Sequence, residues 1–119
     1  MNGFCKMQVK DSTLINGKGL FTTKAVKQDE VIFTLQGEIL HHPTRESIHI
    51  GNGEHIDDEF GRFINHLFKP NTRIEGANVV AIRDIQANEE LTFNYNDNEI
   101  NMASPFYVNG ILVEGKKNI

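Results

Sequence analysis

Arg62-Phe63-Ile64-Asn65-His66-Leu67-Phe68-Lys69-Pro70-Asn71 is the stretch on which the reading of this sequence turns. Two polar side chains, Asn65 and His66, stand directly between the apolar pairs Phe63-Ile64 and Leu67-Phe68. Polar groups set among apolar neighbours must be hydrogen-bonded, either to backbone or to a ligand. On spacing alone a satisfied core pair is the commoner outcome. Phe60, Phe63, Ile64 and Leu67 fall at i, i+3, i+4 and i+7, which predicts one apolar helical face. Asp57 or Asp58 is placed to cap its start and Pro70 to stop it, and Gly61 inside it predicts a short or irregular helix.

Outward from this stretch the apolar pattern is strand-like: short, β-branched and punctuated by turn residues. Met7 to Val9 predicts a first strand, Asn16-Gly17-Lys18-Gly19 a turn, and Leu20 to Thr23 a second strand. Val31 to Leu35 predicts a third, interrupted at Gly37 and resumed at Ile39-Leu40. Ser47 to Ile50 alternates before the turn Gly51-Asn52-Gly53, and Asn78 to Ile82 and Glu90 to Tyr95 complete the clear runs. Phe106 to Val113 is weaker. The pattern predicts a mostly β fold with one small helical element.

The chain has 119 residues and a charge sum of 12 − 16 = −4, within the size of one domain. Mild acidity argues against a nucleic-acid binder, for which Lys116-Lys117 is too small a basic patch. It suits a basic partner such as a lysine-rich peptide. Cys5 is the only cysteine, which excludes an intrachain disulfide and a cysteine-rich zinc site. Met1 to Lys6 carries no long apolar run, so no signal peptide is expected, and no segment approaches the ~20 apolar residues of a membrane span. A reduced, intracellular setting is the default expectation.

Three segments hold candidate chemistry. Gly17-Lys18-Gly19 lacks the third glycine of a dinucleotide fingerprint and precedes a strand. It reads either as a hairpin turn or as bare backbone against which a small ligand packs. Asn65-His66 is the second segment. The third is Glu89-Glu90-Leu91-Thr92-Phe93-Asn94-Tyr95, where a tyrosine ends an apolar strand. The acidic run Glu54, Asp57, Asp58 and Glu59 with His55 looks superficially metal-binding, but turn-rich charged sequence reads as a solvated loop. His41-His42 before Pro43 reads as a surface turn, and a nucleophilic triad finds no support.

Taken in this order, the three segments resemble the SET-domain family of protein-lysine methyltransferases. Gly17-Lys18-Gly19-Leu20-Phe21 is similar to its first motif, and Glu30-Val31-Ile32 through Gly37-Glu38-Ile39 to its second strand block. Arg62-Phe63-Ile64-Asn65-His66 with Pro70-Asn71 resembles the signature RFINHSCxPN, and Glu89 to Tyr95 resembles EELTFDY. The likeness runs from about Asn16 to Asp97, and Pro105-Phe106-Tyr107 is similar to the start of the post-SET tail. It implies one SET domain over 1–119, with a core at 16–97 and a lid-like tail at 98–119. The implied fold is a set of small, mostly antiparallel sheets with a short helix and a C-terminal pseudoknot, a threading that strand patterns cannot foretell.

The implied reaction moves a methyl group from S-adenosylmethionine to a lysine amine of a protein, leaving S-adenosylhomocysteine. By resemblance, backbone at Lys18, Gly19 and Leu20 cradles the methionine part of the cofactor. Asn65 and His66 hold its amino group and adenine, His66 largely through backbone atoms, and Tyr95 is the catalytic residue. Phe33, Phe63, Phe68, Phe93 and Tyr107 are the aromatics considered for a lysine channel, with Phe93, Phe33 and Tyr107 the chosen three. Phe93 sits where the family tunes how many methyls fit, and phenylalanine there predicts more than monomethylation.

Leu67-Phe68 stands in place of Ser-Cys, Asn94 in place of Asp, and Leu35 where many members carry tyrosine. The tail from Pro105 to Gly115 has no cysteine, so a zinc-bound lid is excluded and no metal is expected. A lid must come from packing, with Phe106, Tyr107 and Ile111 as candidates. The short segment between Leu40 and Gly61 implies a minimal peptide groove or one completed by a second subunit, as in a homodimer. An inactive binding module of the same fold, for cofactor or peptide, is the alternative; a purely structural domain is the third reading.

Overall fold

The computed structural model describes residues 7–116; Cys5, the Met1–Lys6 stretch and Lys117 lie outside them. In chain order the strands are β1 (Met7–Asp11), β2 (Lys18–Thr22), β3 (Val31–Thr34), β4 (Ile39–Leu40), β5 (Ile48–Gly51) and β6 (Glu54–Ile56). After a single 3-10 turn at Gly61–Phe63 come β7 (Asn65–His66), β8 (Thr72–Glu75), β9 (Asn78–Ala81) and β10 (Thr92–Phe93). A one-turn helix, α1 (Tyr95–Asn98), precedes β11 (Phe106–Val108) and β12 (Ile111–Val113).

These strands form small sheets rather than one large one. β1 and β2 pair antiparallel from Met7 opposite Thr22 to Asp11 opposite Lys18. β9 lies between β3 and β8, and β6 between β4 and β5, all antiparallel. β11 and β12 make a hairpin. The one parallel pair among the described residues joins β7 to β10, with Asn65 opposite Thr92 and His66 opposite Phe93. Two of the three sequence segments singled out above thus meet side by side. Asn52-Gly53 and Asn109-Gly110 have positive φ at both positions (55° and 73°; 51° and 81°), the geometry of type I′ hairpin turns.

One core joins the sheets. Leu20, Ile32, Leu35, Ile48, Ile56, Ile64, Val79, Ile85, Leu91 and Phe93 are buried together in it. The expected short or irregular helix is a single 3-10 turn, Gly61–Phe63, and does not extend through Ile64 to Leu67. Asp58 Oδ1 accepts from the Phe60 and Gly61 N–H groups at 2.8 and 2.6 Å, which winds a single turn. Gly61 then packs so closely that a Cβ would lie 2.6 Å from Leu35 Cδ2. Ile64 turns extended, at ψ 112°, and delivers Asn65-His66 to β10. Leu67 is left exposed.

The acidic run is a second correction. Glu54–Ile56 is the central strand of its sheet, His55 is buried, and buried Asp58 is the turn's cap rather than a solvated charge. β8 carries one large apolar side chain, Ile74, so it has no period-2 signature; it forms by pairing the whole length of β9. α1 is unsignalled because it is one turn long, started by Asn94 Oδ1 accepting from Asn96 N–H at 2.9 Å.

Asn71, only 2% exposed, locks β10 in place. Its Oδ1 accepts from Thr92 N–H at 2.9 Å, and its Nδ2 donates to the Glu90 carbonyl at 2.8 Å. Its own N–H donates to Thr92 Oγ1 at 3.1 Å. Truncation leaves buried backbone groups unpaired, at about 1–3 kcal/mol for each. Asn71→Ala is expected to lower the unfolding free energy by about 3 kcal/mol. Thr34→Ala, which removes the exposed bond to Asn78, should cost less than about 1 kcal/mol. Urea unfolding of both variants checks this.

Candidate active site

The six residues linking β1 to β2 curl over the end of β7, and a buried carboxylate holds them there. Glu90 Oε1 accepts from Thr13 N–H at 2.7 Å, Thr13 Oγ1 at 2.8 Å and Ser12 Oγ at 2.9 Å. Glu90 Oε2 accepts from Asn65 Nδ2 at 2.8 Å. The same amide donates to the Lys18 carbonyl at 2.9 Å. A Cβ on Gly19 would collide with the Glu90 carboxylate, so a side chain here would have to displace that carboxylate from its hydrogen bonds. Gly17 carries no such constraint, because a Cβ there would meet only Ile15 at ordinary contact distance. Leu20 is wholly buried, and its carbonyl accepts from Leu91 N–H at 2.8 Å. The Lys18 ammonium points away to an exposed pair with Asp11.

His66 lies one residue beyond Asn65 and turns its ring into an aromatic nest. Phe68 meets it edge-on at 4.4 Å, Tyr95 at 5.2 Å and Phe106 at 6.2 Å. Its Nδ1 accepts from Tyr95 N–H at 3.0 Å, so the proton of the neutral ring is on Nε2. That Nε2 is buried and has no partner. Burial holds the imidazole below its ordinary pKa, against the opposing pull of Asp97, and the ring stays neutral.

Tyr95 opens α1, and its hydroxyl donates to the Ile64 carbonyl at 2.6 Å. Burial, and then the negative charge of Glu99, push its pKa above the ordinary phenol value. The group is therefore a standing donor and not a base at neutral pH. Its ring packs 4.7 Å from Phe93. Tyr95, Phe93, Ile64, Gly61, Ile48 and Glu99 line a narrow cavity of about 50 Å³, room for a few water-sized groups at ~10–15 Å³ each.

Lys18, Gly19, Leu20, Asn65 and His66 are brought together, with Tyr95 beside His66. Phe33 is elsewhere: it lines a separate cavity of about 640 Å³ with Met7, Gln36, Asp58 and Phe60. Tyr107 is 71% exposed on β11, and it is the adjacent Phe106 that faces His66 and Tyr95. Phe63 packs against the core, and Phe68 against His66. Two acidic residues were not foreseen as part of the site. Glu90 sits within a quoted motif, and its buried partners Ser12 and Thr13 are too distant in sequence to announce the contact. Glu99 has no sequence signal at all.

The fold has counterparts in known proteins. The sequence model of the SET domain matches residues 17–96, which is most of the chain. This chain belongs to the SET-domain family. It is 32% identical, over 112 aligned residues, to a histone-lysine N-methyltransferase described as H3 lysine-36 specific from Yarrowia lipolytica. That alignment covers 71% of this chain and 15% of the relative. Among solved structures, the SET fold here superposes on the polycomb repressive complex 2 of Chaetomium thermophilum with a TM-score of 0.69 at 23% identity. It superposes on an active polycomb repressive complex 2 in its stimulated state with a TM-score of 0.68 at 24% identity. These matches cover 85% of this chain and 16% of each neighbour. The SET domain thus spans about a sixth of its relatives' length.

Among the described residues no helix is long and apolar enough to cross a membrane, and no group of three His, Cys, Asp or Glu side chains is placed to hold a metal ion.

Glu99 makes the site's pH response readable. Only 4% exposed, its carboxyl is pushed by burial from 4.5 up to about 7, against the hydrogen bonds from His49 N–H and Asn98. A carboxyl with a raised folded pKa favours the folded state while protonated and loses that contribution as pH rises from 4.5 to about 7. Glu99→Gln cannot ionise. It should match the wild type near pH 5 and exceed it in stability near pH 8, by on the order of 2 kcal/mol. Thermal unfolding at the two pH values checks the sign.

Proposed function

We propose that this chain is a protein-lysine N-methyltransferase that moves a methyl group from S-adenosylmethionine to a lysine side-chain amine. The observation that carries the reading is Tyr95. Its phenol is fixed on the Ile64 carbonyl between the His66 nest and the narrow cavity walled by Phe93 and Ile64. The residues present fit the cofactor. Among the described residues no donor is bonded to Asn65 Oδ1, His66 Nε2–H is buried without a partner, and Gly19 leaves bare backbone beside them.

S-adenosylmethionine, when bound, supplies an electrophilic methyl on a sulfonium. Backbone at Lys18, Gly19 and Leu20 would hold its methionine part, Asn65 its amino group, and His66 with Phe68 and Phe106 its adenine. The chain's own contribution is then positional. The cavity fixes a lysine in line with the methyl, and the buried Ile48, Ile64 and Phe93 on one side of it disfavour an ammonium whose ordinary pKa is ~10.4. Tyr95 Oη holds the reacting groups in register.

The partner we propose is a lysine-containing stretch of a basic protein of the histone type. The chain's net charge of −4 and its methyltransferase relative support this choice. Residues 16–97 are taken as the core and 98–119 as a zinc-free lid. A second copy of the chain is the partner proposed to complete the short groove, and the setting is intracellular.

Calorimetry with S-adenosylhomocysteine, alongside transfer of labelled methyl to core histones, tests the reading. Asn65→Ala should lose homocysteine-adduct binding by more than about tenfold. Tyr95→Phe should bind it as the wild type does, while transfer falls on the order of 10²-fold or more. Absence of binding by the wild type overturns the methyltransferase reading, and binding without transfer leaves a binding module.

Phe93 generates a separate expectation. Its ring is buried against Tyr95, and a hydroxyl added there fills space that a second methyl needs. Phe93→Tyr should shift the product toward monomethyl-lysine, as read by intact mass. An unchanged product distribution would refute this role.

A further inference from the structure

Glu99 is the buried acid that the mechanism above does not use. It closes α1, and its N–H donates to the Tyr95 carbonyl at 2.9 Å. Its carboxylate accepts from His49 N–H at 3.0 and 3.2 Å and from Asn98 Nδ2 at 2.7 Å. Asn98 is itself pinned to β5, donating to the His49 carbonyl at 3.0 Å. The carboxylate is thus built into the wall, and among the described residues no cation pairs with it. A buried charge without a partner is costly. It nevertheless lines the same narrow cavity as Tyr95 and Phe93.

A cation entering that cavity would complete it. We propose that Glu99 is a further catalytic residue, which receives the ammonium of the substrate lysine in this cavity and takes up its proton. This rests on the lysine-methyltransferase reading. In the step, one N–H bond of the lysine ammonium breaks and an O–H bond forms on Glu99, leaving a neutral amine and a carboxylic acid. The freed lone pair forms the new C–N bond as the sulfonium S–C bond breaks, its electron pair returning to sulfur. The product departs as a methylammonium, and Glu99 releases its proton to water when the cavity empties. One proton is produced per turnover.

The surrounding charges leave this role open. From β5 comes His49, whose ring Nδ1 is bonded to the Asn98 carbonyl, and from α1 come neutral Tyr95 and Asp97. Arg45, Glu46 and Arg62 also line the cavity, and Arg62 is engaged with Asp57 and Glu46. On the C-terminal segment stand Glu114 and Lys116, the latter through its backbone N–H on the Glu99 carbonyl at 2.5 Å. Of these, Glu99 is the most deeply buried carboxylate, at 4% exposure. Its pKa of about 7 makes it a proton acceptor suited to neutral pH.

The test measures binding, with S-adenosylhomocysteine saturating. Two histone H3 tail peptides are titrated by fluorescence anisotropy, one with lysine and one with uncharged, near-isosteric norleucine at the labelled position. At pH 8 the wild type should prefer the lysine peptide by about tenfold or more. Glu99→Gln should erase that preference while binding S-adenosylhomocysteine as the wild type does. A second measurement needs no variant: the wild-type preference should fade between pH 8 and 5.5 as Glu99 is protonated.

In turnover, the limb of the kcat/KM profile near pH 7 should vanish in Glu99→Gln. Equal affinity for both peptides in the wild type, or a preference unchanged in Glu99→Gln, overturns the assignment and leaves the methyltransferase reading intact. If S-adenosylhomocysteine binds and neither peptide does, the cavity is not a lysine site and the assignment falls. If S-adenosylhomocysteine itself fails to bind, the underlying reading falls first.

Discussion

A single carboxylate, that of Glu90, holds the Asn65 side of the candidate site in shape. It is buried, and it accepts from Ser12, Thr13 and Asn65, which belong to the β1–β2 link and to β7. Hydrogen bonds to a charged group are worth about twice those between neutral partners. In a low-dielectric interior the loss of one leaves the charge exposed to its full desolvation cost. The network therefore acts together. It fixes the loop over the site, orients the Asn65 amide, and would be disturbed by a side chain at Gly19. The glycine of the GxG motif leaves room for a glutamate that lies 71 residues away (90 − 19 = 71).

Tyr95 divides the site into two chemically different halves. On one side are Asn65, His66 and backbone polar groups with an unpaired buried donor, suited to a polar, aromatic ligand. On the other are Phe93, Ile64 and Ile48 around a narrow cavity, interrupted by Glu99. The phenol belongs to both halves, and burial keeps it protonated. A phenol that keeps its proton, donated to the Ile64 carbonyl, can accept from an amine N–H and orient it without taking its proton, which leaves proton removal to something else in the cavity. The division of labour follows from where burial drives each pKa: upward for the phenol, beyond use as a base, and upward for the carboxyl, into the range where it is one.

What the sequence disclosed and what it hid have separate causes. Strands whose apolar residues alternate or run together, such as β2, β3 and β9, were legible because burial acts on each residue in turn. The Phe60–Leu67 face misled because helical spacing is only a local preference. The contact of Gly61 with Leu35 and Ile48, and the pairing of β7 with β10, override it. β8 and α1 were silent, since one draws its stability from a neighbouring strand and the other from a single asparagine cap. The motifs singled out Asn65, His66 and Tyr95, which the fold brings close together. Motifs do not carry the direction of a side chain, so Phe33 and Tyr107 share the right composition while facing elsewhere.

The tail shows how the β11–β12 hairpin is seated beside the candidate site. Asn96 Oδ1 accepts from Glu114 and Gly115 N–H, both at 3.0 Å, while its Nδ2 donates to the Leu112 carbonyl at 3.1 Å. One side chain on α1 therefore sews down the end of the β11–β12 hairpin, whose Phe106 reaches both His66 and Tyr95. Gly115, at φ +99°, passes so near the Glu99 carbonyl that a Cβ would lie 2.8 Å from it. A structural zinc site contributes about 10–16 kcal/mol of apparent binding energy, whereas such hydrogen bonds net about 0.5–1.5 kcal/mol each. A hairpin held this way opens at a small fraction of the cost of releasing a metal. Phe106 remains partly exposed, as expected of a cover seated by few contacts. The single turn of α1 carries Tyr95 and Asn96 and ends on Glu99 as its C-cap, so seating the hairpin, fixing the phenol and placing the buried acid are coupled through the four residues of one short helix and its cap.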